Sequence, residues 1–299
     1  MKPKQTAARI LLVGGVILCL FACKKNSTGP EGLGETQGFQ WLQGSLTIDH
    51  NTVNINAIPT QWIDSAKSRL RIAYGHTSHG SQLTDGMSGL VSWKGSLYSF
   101  NNGGTEGALD LHDYAMGGDC GYYPDWVNNT RAYLNTPANS DVNVIIWSWC
   151  GQVSSQTEQS MIDNYLAPMT QLESDYPHVK FVYMTGHLDG SGITGNLNIR
   201  NQQIRTYCQT NKKVLFDFAD IESYDPDGQV NYMALNANDN CDYDSSGVSR
   251  NWAQRWQNTH TLNTDWYNCS AAHSQPLNGN RKAYAAWSLW ARLAGWLGY

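Results

Sequence analysis

Along the 299-residue chain, short and nearly continuous apolar runs alternate with longer periodic stretches. Four runs, RLRIAYG (69–75), VNVIIWSW (142–149), VKFVYMTG (179–186) and KVLFDFAD (213–220), are rich in β-branched and aromatic residues and end in polar or glycine-containing turns. Continuous apolar runs suit strands of a parallel sheet that is covered on both faces. Between them, SQTEQSMIDNYLAPMTQLESDY (155–176) sets Met161, Tyr165, Met169 and Leu172 on one helical stripe. NLNIRNQQIRTYCQTN (196–211) does the same with Ile199, Ile204 and Cys208, and NRKAYAAWSLWARLAGWLG (280–298) ends the chain as an amphipathic helix. Strands alternating with helices predict an α/β fold, a three-layer α/β/α sandwich around a mainly parallel sheet.

The first residues follow another pattern. Lys2, Lys4 and Arg9 precede the apolar run ILLVGGVILCLFA, and Leu20-Phe21-Ala22-Cys23 resembles a bacterial lipoprotein signal with Cys23 as the lipidated residue. A plain signal peptide or a single anchoring helix fits the same run. KKNSTGPEGLGETQG has no apolar period and reads as a flexible tether. The expected organisation is a signal peptide at 1–22, a lipidated cysteine and tether at 23–40, and one domain at 41–299, because no second linker or internal repeat appears. The expected location is the bacterial cell envelope, periplasmic or surface-facing, with membrane contact through the lipid anchor only.

Charge narrows the partners. The net charge of −5 becomes −8 once the three signal-segment cations are removed, and no basic stripe exists, which argues against nucleic acid. Twelve Trp and sixteen Tyr against six Phe supply rings with an apolar face and a polar edge, suited to a sugar-binding cleft as well as to a core. Beyond Cys23 five cysteines remain: Cys120, Cys150, Cys208, Cys241 and Cys269. An exported domain permits disulfides, and an odd count leaves at least one thiol free. Cys208, inside a helical pattern, is the candidate free thiol. Cys241 with Cys269 and Cys120 with Cys150 are the candidate pairs, although spacing alone does not fix connectivity.

In open parallel sheets, sites form beyond the carboxyl ends of the strands. There the chain places Gly75-His76-Thr77-Ser78, then Cys150-Gly151-Gln152, then Gly186-His187-Leu188-Asp189, then Asp217, Asp220 and Glu222. A polar segment with His273 precedes the last helix. A serine hydroxyl needs a base to take its proton and donors to hold an oxyanion. Ser78, between a strand and Gly80, is a candidate nucleophile and His273 its candidate base. Ser78 as a helix N-cap is the competing reading.

Segment order and spacing over about residues 69–298 resemble the SGNH/GDSL hydrolase family. The resemblance implies a serine esterase or hydrolase with Ser78 as nucleophile, the Ser78 and Gly151 N–H groups as oxyanion donors, and His273 as general base. The chain departs from the family's pattern in three places. The Gly-Asp-Ser start is one residue longer here, so without an insertion Thr77 takes the nucleophile position. Leu188 stands where the third block carries Asn, with His187 as a substitute donor. Ser270 stands where the orienting Asp is found, leaving Asp265, another strand end, or a Ser-His dyad. The implied substrate is a small-molecule or polysaccharide ester, such as acylated carbohydrate.

Other readings stay open. A decayed site would leave a carbohydrate-binding surface protein. His76, His79 and His187 could instead hold zinc for a metal-dependent hydrolase or lyase, although no CxxC or Cys/His zinc spacing is present and no metal or cofactor is expected from a complete motif. His76 and His79 also suit substrate contact or turn support, and Asp189 lies beside them in the expected fold. Asp225, Asp227 and Gly228, with Asp239, Asn240, Asp242 and Asp244, resemble fragments of calcium loops without the closing Glu, and equally suit Asx turns. The stretch 84–141 reads as a long, aromatic-rich insertion in which Tyr122, Tyr123 and Trp126 either wall the cleft or cover the sheet edge.

Overall fold

Burial explains why the four apolar runs become strands. In the computed structural model, which describes Trp41 and residues 44–298, the elements in chain order are β1 (Leu46–Ile48), α1 (Thr60–Arg69), β2 (Arg71–Gly75), α2 (Ser78–Lys94), β3 (Phe100–Asn101), β4 (Leu109–His112), α3 (Asp125–Leu134) and β5 (Val144–Trp147). There follow α4 (Glu158–Met161), α5 (Ala167–Asp175), β6 (Lys180–Met184), α6 (Asn196–Thr210), β7 (Val214–Phe216), α7 (Phe218–Ile221), the hairpin β8 (Asp242–Ser245) and β9 (Val248–Asn251), α8 (Trp252–Thr259) and α9 (Pro276–Leu293). Cys23, the signal segment and the tether lie outside the described residues. Trp41 onward forms one compact unit. Among the described residues no helix is long and apolar enough to cross a membrane.

Seven strands form one parallel sheet in the order β1-β7-β6-β5-β2-β4-β3. The runs read from the pattern are the four adjacent strands β2, β5, β6 and β7, buried throughout apart from the first residues of β2 and β6. Right-handed crossovers then set α1 and α2 on one face and α3, α5 and α6 on the other. α9 packs against α1 and α2, while α3 packs on α5 and α4 on α6. The strand order reverses at β2, which has β4 on one side and β5 on the other. The crevice beyond the ends of β2 and β5 is therefore the topological switch point, where ligands bind in such sheets.

The stretch 84–141 is not a loop insertion. It holds most of α2, then β3, β4 and α3. β4 was hidden because its Asp110 interrupts the apolar run; that side chain is buried and engaged by Arg71 at 3.3 Å, His112 at 3.0 Å and the Gly103 N–H at 2.8 Å. The 155–176 helix buries its expected stripe of Met161, Tyr165, Met169 and Leu172, but Ile162–Leu166 is a π turn. Pro168 has no N–H to give the Asn164 carbonyl, and the Trp126 indole N–H donates to it instead at 3.1 Å. In α6, Leu197, Asn201, Ile204 and Cys208 are buried while Ile199 is exposed, so Ile199 is off the stripe.

The final helix starts at Pro276, with proline in its first turn, and is buried on nearly every side rather than amphipathic. It meets α2 at two glycines. A Cβ on Gly86 would stand 2.1 Å from the Gly279 carbonyl oxygen, so only glycine allows the helices this close.

Candidate active site

Close packing fixes the turn after β2. A Cβ on Gly75 would stand 2.5 Å from the Trp147 indole, and one on Gly80 would stand 2.3 Å from both His76 Cβ and Ser148 Oγ. The Tyr74 hydroxyl donates to the Gly80 carbonyl at 2.9 Å. The turn is thereby pinned to β2 and β5. Thr77 occupies the N-cap position without a side-chain cap, its hydroxyl donating to Asp119 at 3.1 Å. Ser78 is the first residue of α2, where N–H groups lack intrahelical acceptors and the helix dipole is positive.

His273 Nε2 lies 3.0 Å from Ser78 Oγ, across 195 positions of sequence. His273 is exposed and sits at φ 61°, the left-handed region, which His enters more readily than most residues. Its loop is held from three sides. Gln82 Nε2 donates to the Ala272 carbonyl at 2.6 Å, Gln275 Nε2 donates to Asn240 Oδ1 at 2.7 Å, and the Ser274 N–H donates to the Ala271 carbonyl at 2.9 Å. Among the described residues no carboxylate pairs with His273. Asp265 accepts the Thr261 N–H at 2.8 Å and closes its own turn. The arrangement is a Ser-His pair, with the imidazole nitrogen placed to accept the hydroxyl proton.

Beneath this loop lies a buried polar network. Lys282, fully buried, donates to Glu222 Oε2 at 2.9 Å, Gln82 Oε1 at 3.1 Å and Asn278 Oδ1 at 3.3 Å. Glu222 also accepts the Leu188 N–H. Leu188 itself is buried in a small apolar cluster, so the third strand end offers no side-chain amide.

Three imidazoles stack beside Ser78. The His79 ring lies 3.7 Å from His187, nearly parallel at 2°, and 4.5 Å from His273 at 17°. His79 Nε2 is 3.0 Å from Asp239 Oδ2, and its Nδ1 is 3.3 Å from Cys150 Sγ. Burial lowers the His79 pKa below its ordinary value and outweighs the Asp239 hydrogen bond. Burial opposes ionisation of Asp239, but the His79 hydrogen bond and the adjacent imidazoles hold its pKa below the usual carboxylate value. Asp239 reaches the cluster because its loop is tied to the end of β6 by the Asp189–Asn238 bridge and by the Gly190 N–H donating to the Ala237 carbonyl at 3.1 Å.

His187 Nδ1 lies 2.8 Å from the Leu188 carbonyl. A carbonyl only accepts, so Nδ1 carries the proton and Nε2 of the neutral ring is a bare lone pair. That Nε2 is buried with no hydrogen-bond partner. The oxyanion-donor role suggested for His187 therefore requires the protonated ring. Gly151 is exposed, opens the 3₁₀ turn Gly151–Ser155 after β5, and a Cβ there would stand 3.9 Å from His187 Nε2.

Several expected residues take other places. His76 Nε2 binds Asp113 at 2.7 Å and its ring packs between Tyr74 and Tyr114, so it supports the turn and does not join His79 and His187. The group able to offer three metal ligands is instead His79, His187 and Asp239, one ligand atom each, all within 4.8 Å. Asp189 is exposed and accepts the Ser191 N–H and hydroxyl. Tyr122 and Tyr123 are exposed, but Trp126 is in the core against Trp147 and Tyr165 and does not wall a cleft. The expected disulfides do not form. Cys120, Cys150, Cys208, Cys241 and Cys269 are free thiols, and their sulfurs face other groups, Cys120 the Ser148 carbonyl, Cys150 His79, Cys241 Ser274 and Cys269 the Pro276 carbonyl. Asp225 closes the Asp225–Gly228 turn and accepts the Tyr232 hydroxyl at 2.6 Å, while Asp242 accepts the Asn240 and Asn251 amides and Asp244 the Gly247 N–H.

Asp239 is the site residue that sequence reasoning did not assign to the cluster. It read as one oxygen among several in an Asp/Asn-rich loop, and only the bridge to Asp189 carries it to the histidines. Compared with known proteins, the chain matches no family model and no curated protein.

Proposed function

We propose that this chain is an SGNH-type serine hydrolase, an esterase for acylated carbohydrate or related esters, held at the bacterial cell envelope by a lipid on Cys23. The observation that carries the reading is the 3.0 Å contact between Ser78 Oγ and His273 Nε2, beyond the carboxyl end of β2 at the switch point of the sheet. In this mechanism His273 takes the hydroxyl proton as Ser78 attacks the ester carbonyl, then delivers it to the leaving alcohol. The oxyanion is met by the Ser78 N–H at the start of α2 and by the Gly151 N–H. Water repeats the sequence on the acyl-enzyme. The test is fluorophosphonate labelling with the modified peptide identified by mass spectrometry. An adduct on Ser78 that disappears in His273→Ala supports the reading. Labelling of another serine, or equal labelling in His273→Ala, removes it.

A carbohydrate-binding protein with a decayed site is the second reading. It is favoured by His273 having no carboxylate partner among the described residues, and by a separate cleft of about 560 Å³ lined by Asp227, Tyr232, Tyr243, Trp252, Arg255 and Trp256. Glycan binding that persists in Ser78→Ala and is lost in Trp256→Ala would favour it.

A further inference from the structure

We propose that His79, His187 and Asp239 form a binding site for a divalent transition-metal cation of the zinc class, beside Ser78 and His273. Two imidazoles and one carboxylate are the donor set that borderline cations prefer, and three protein ligands leave a fourth position open as catalytic zinc sites do. Bonds of about 2.0–2.1 Å place tetrahedral ligands roughly 3.3 Å apart. His79 Nε2 and Asp239 Oδ2 already stand 3.0 Å apart, and all three ligand atoms fall within 4.8 Å.

His187 supplies the independent observation. Its Nδ1–H is committed to the Leu188 carbonyl at 2.8 Å, which is the outer hydrogen bond that metal-bound histidines characteristically make. That bond leaves the lone pair on Nε2, the atom that is buried without a partner. A buried acceptor in that state carries a desolvation cost that a cation removes. His79 has an outer contact of the same kind, Nδ1 to Cys150 Sγ at 3.3 Å, with Nε2 toward Asp239. On ligation the single proton of the neutral His79 ring moves to Nδ1, where it faces Cys150 Sγ, and the cation takes the place between the freed Nε2 and Asp239. Coordination also requires the two parallel rings to tilt, since a metal in the plane of one does not lie in the plane of the other.

Ligation of the cation does not depend on the serine reading, and its test uses binding rather than turnover. The full chain is stripped with chelator, then titrated with Zn(II) and with Co(II), reading stoichiometry by elemental analysis and coordination by the Co(II) d–d absorption. One cation per chain, with an intense tetrahedral-type spectrum and binding weakened at least tenfold in both His187→Gln and Asp239→Asn, is the expected result. Ser78→Ala and His76→Gln should bind as the unaltered chain does. Circular dichroism establishes that each variant is folded; if His187→Gln is not, half-buried Asp239→Asn carries the test. Absence of stoichiometric binding, or affinity unchanged in the folded variants, overturns the proposal. Fluorophosphonate labelling of Ser78 in the stripped chain reports separately on the serine, so the two readings fail independently.

Discussion

Two polar clusters sit side by side under the loop that carries His273, and they are built oppositely. In the first, Lys282 gives hydrogen bonds to Glu222, Gln82 and Asn278, and Glu222 receives Lys282, Asn278 and the Leu188 N–H. Donors and acceptors match, and the ammonium also rests 3.6 Å from the Phe218 ring centroid. In the second, His79, His187 and His273 stack beside a half-buried serine, with one buried nitrogen left without a partner. A saturated buried network holds positions and has nothing left to offer a ligand. A cluster with a spare lone pair and a serine hydroxyl held against an imidazole can still react or bind. The contrast separates scaffold from chemistry even where both are made of charged side chains.

The contrast can be broken most sharply at the dyad. Ser78→Ala or His273→Ala should lower esterase turnover by at least about 10³-fold while leaving the melting temperature nearly unchanged; a fall in stability with activity intact would put the two groups in the scaffold. The scaffold cluster should respond the other way. Glu222→Gln or Lys282→Met leaves one buried charge uncompensated and should cost about 3–5 kcal/mol in denaturant unfolding. Replacing both partners with apolar residues of similar volume should recover most of that loss, and failure to recover it would mean that the pair does more than satisfy itself. Gly80→Ala forces a Cβ into His76 and Ser148. It should cost about 1–3 kcal/mol and reduce Ser78 labelling, since the turn sets the hydroxyl's place.

Smaller effects sharpen the picture. Burial pushes the Cys241 and Cys269 thiols up to about 12, so both are protonated at neutral pH and should resist native alkylation. Half-buried Cys150 should label first, and its labelling should slow when His79 is occupied. Denatured, non-reduced protein should yield all five thiols beyond Cys23; fewer would show that a disulfide forms after all. Tyr122→Ala, at an exposed ring, should change stability by less than about 0.5 kcal/mol, against about 3–5 kcal/mol for Trp126→Ala in the core.

What the sequence made legible follows from how each feature is encoded. The strands β2, β5, β6 and β7 are long apolar runs, and a run announces itself. β1 and β3 are too short to do so, and β4 carries a buried Asp110 whose partners come from β2, from the loop before it and from His112 on β4 itself. Ser78 and His273 were readable because each stands at a boundary between regular elements. Asp239 was not, because its loop reaches the site by two backbone contacts to residues near 189, and backbone pairing leaves no mark on side-chain identity. The cysteines misled for a related reason. Several cysteines in a chain expected to be exported suggest bridges, but Cys120, Cys150, Cys241 and Cys269 each face a group other than a thiol.

The Gly86–Gly279 contact has a consequence for how this chain can change. Ser78 begins the helix that contains Gly86, and His273 stands just ahead of the helix that contains Gly279. The hydroxyl and the imidazole are therefore mounted on one crossing of two rigid rods, each less than three helical turns from the crossing point. The tip of the β8–β9 hairpin can lengthen, shorten or be replaced without altering the reach from Ser78 to His273, whereas Trp147 and Ser148 against the Ser78 turn and Asn240 against the His273 loop help to set it. The same crossing cannot drift. One added methyl at Gly86 would pry the rods apart, and the pair would lose its reach while every residue that performs the chemistry was still present.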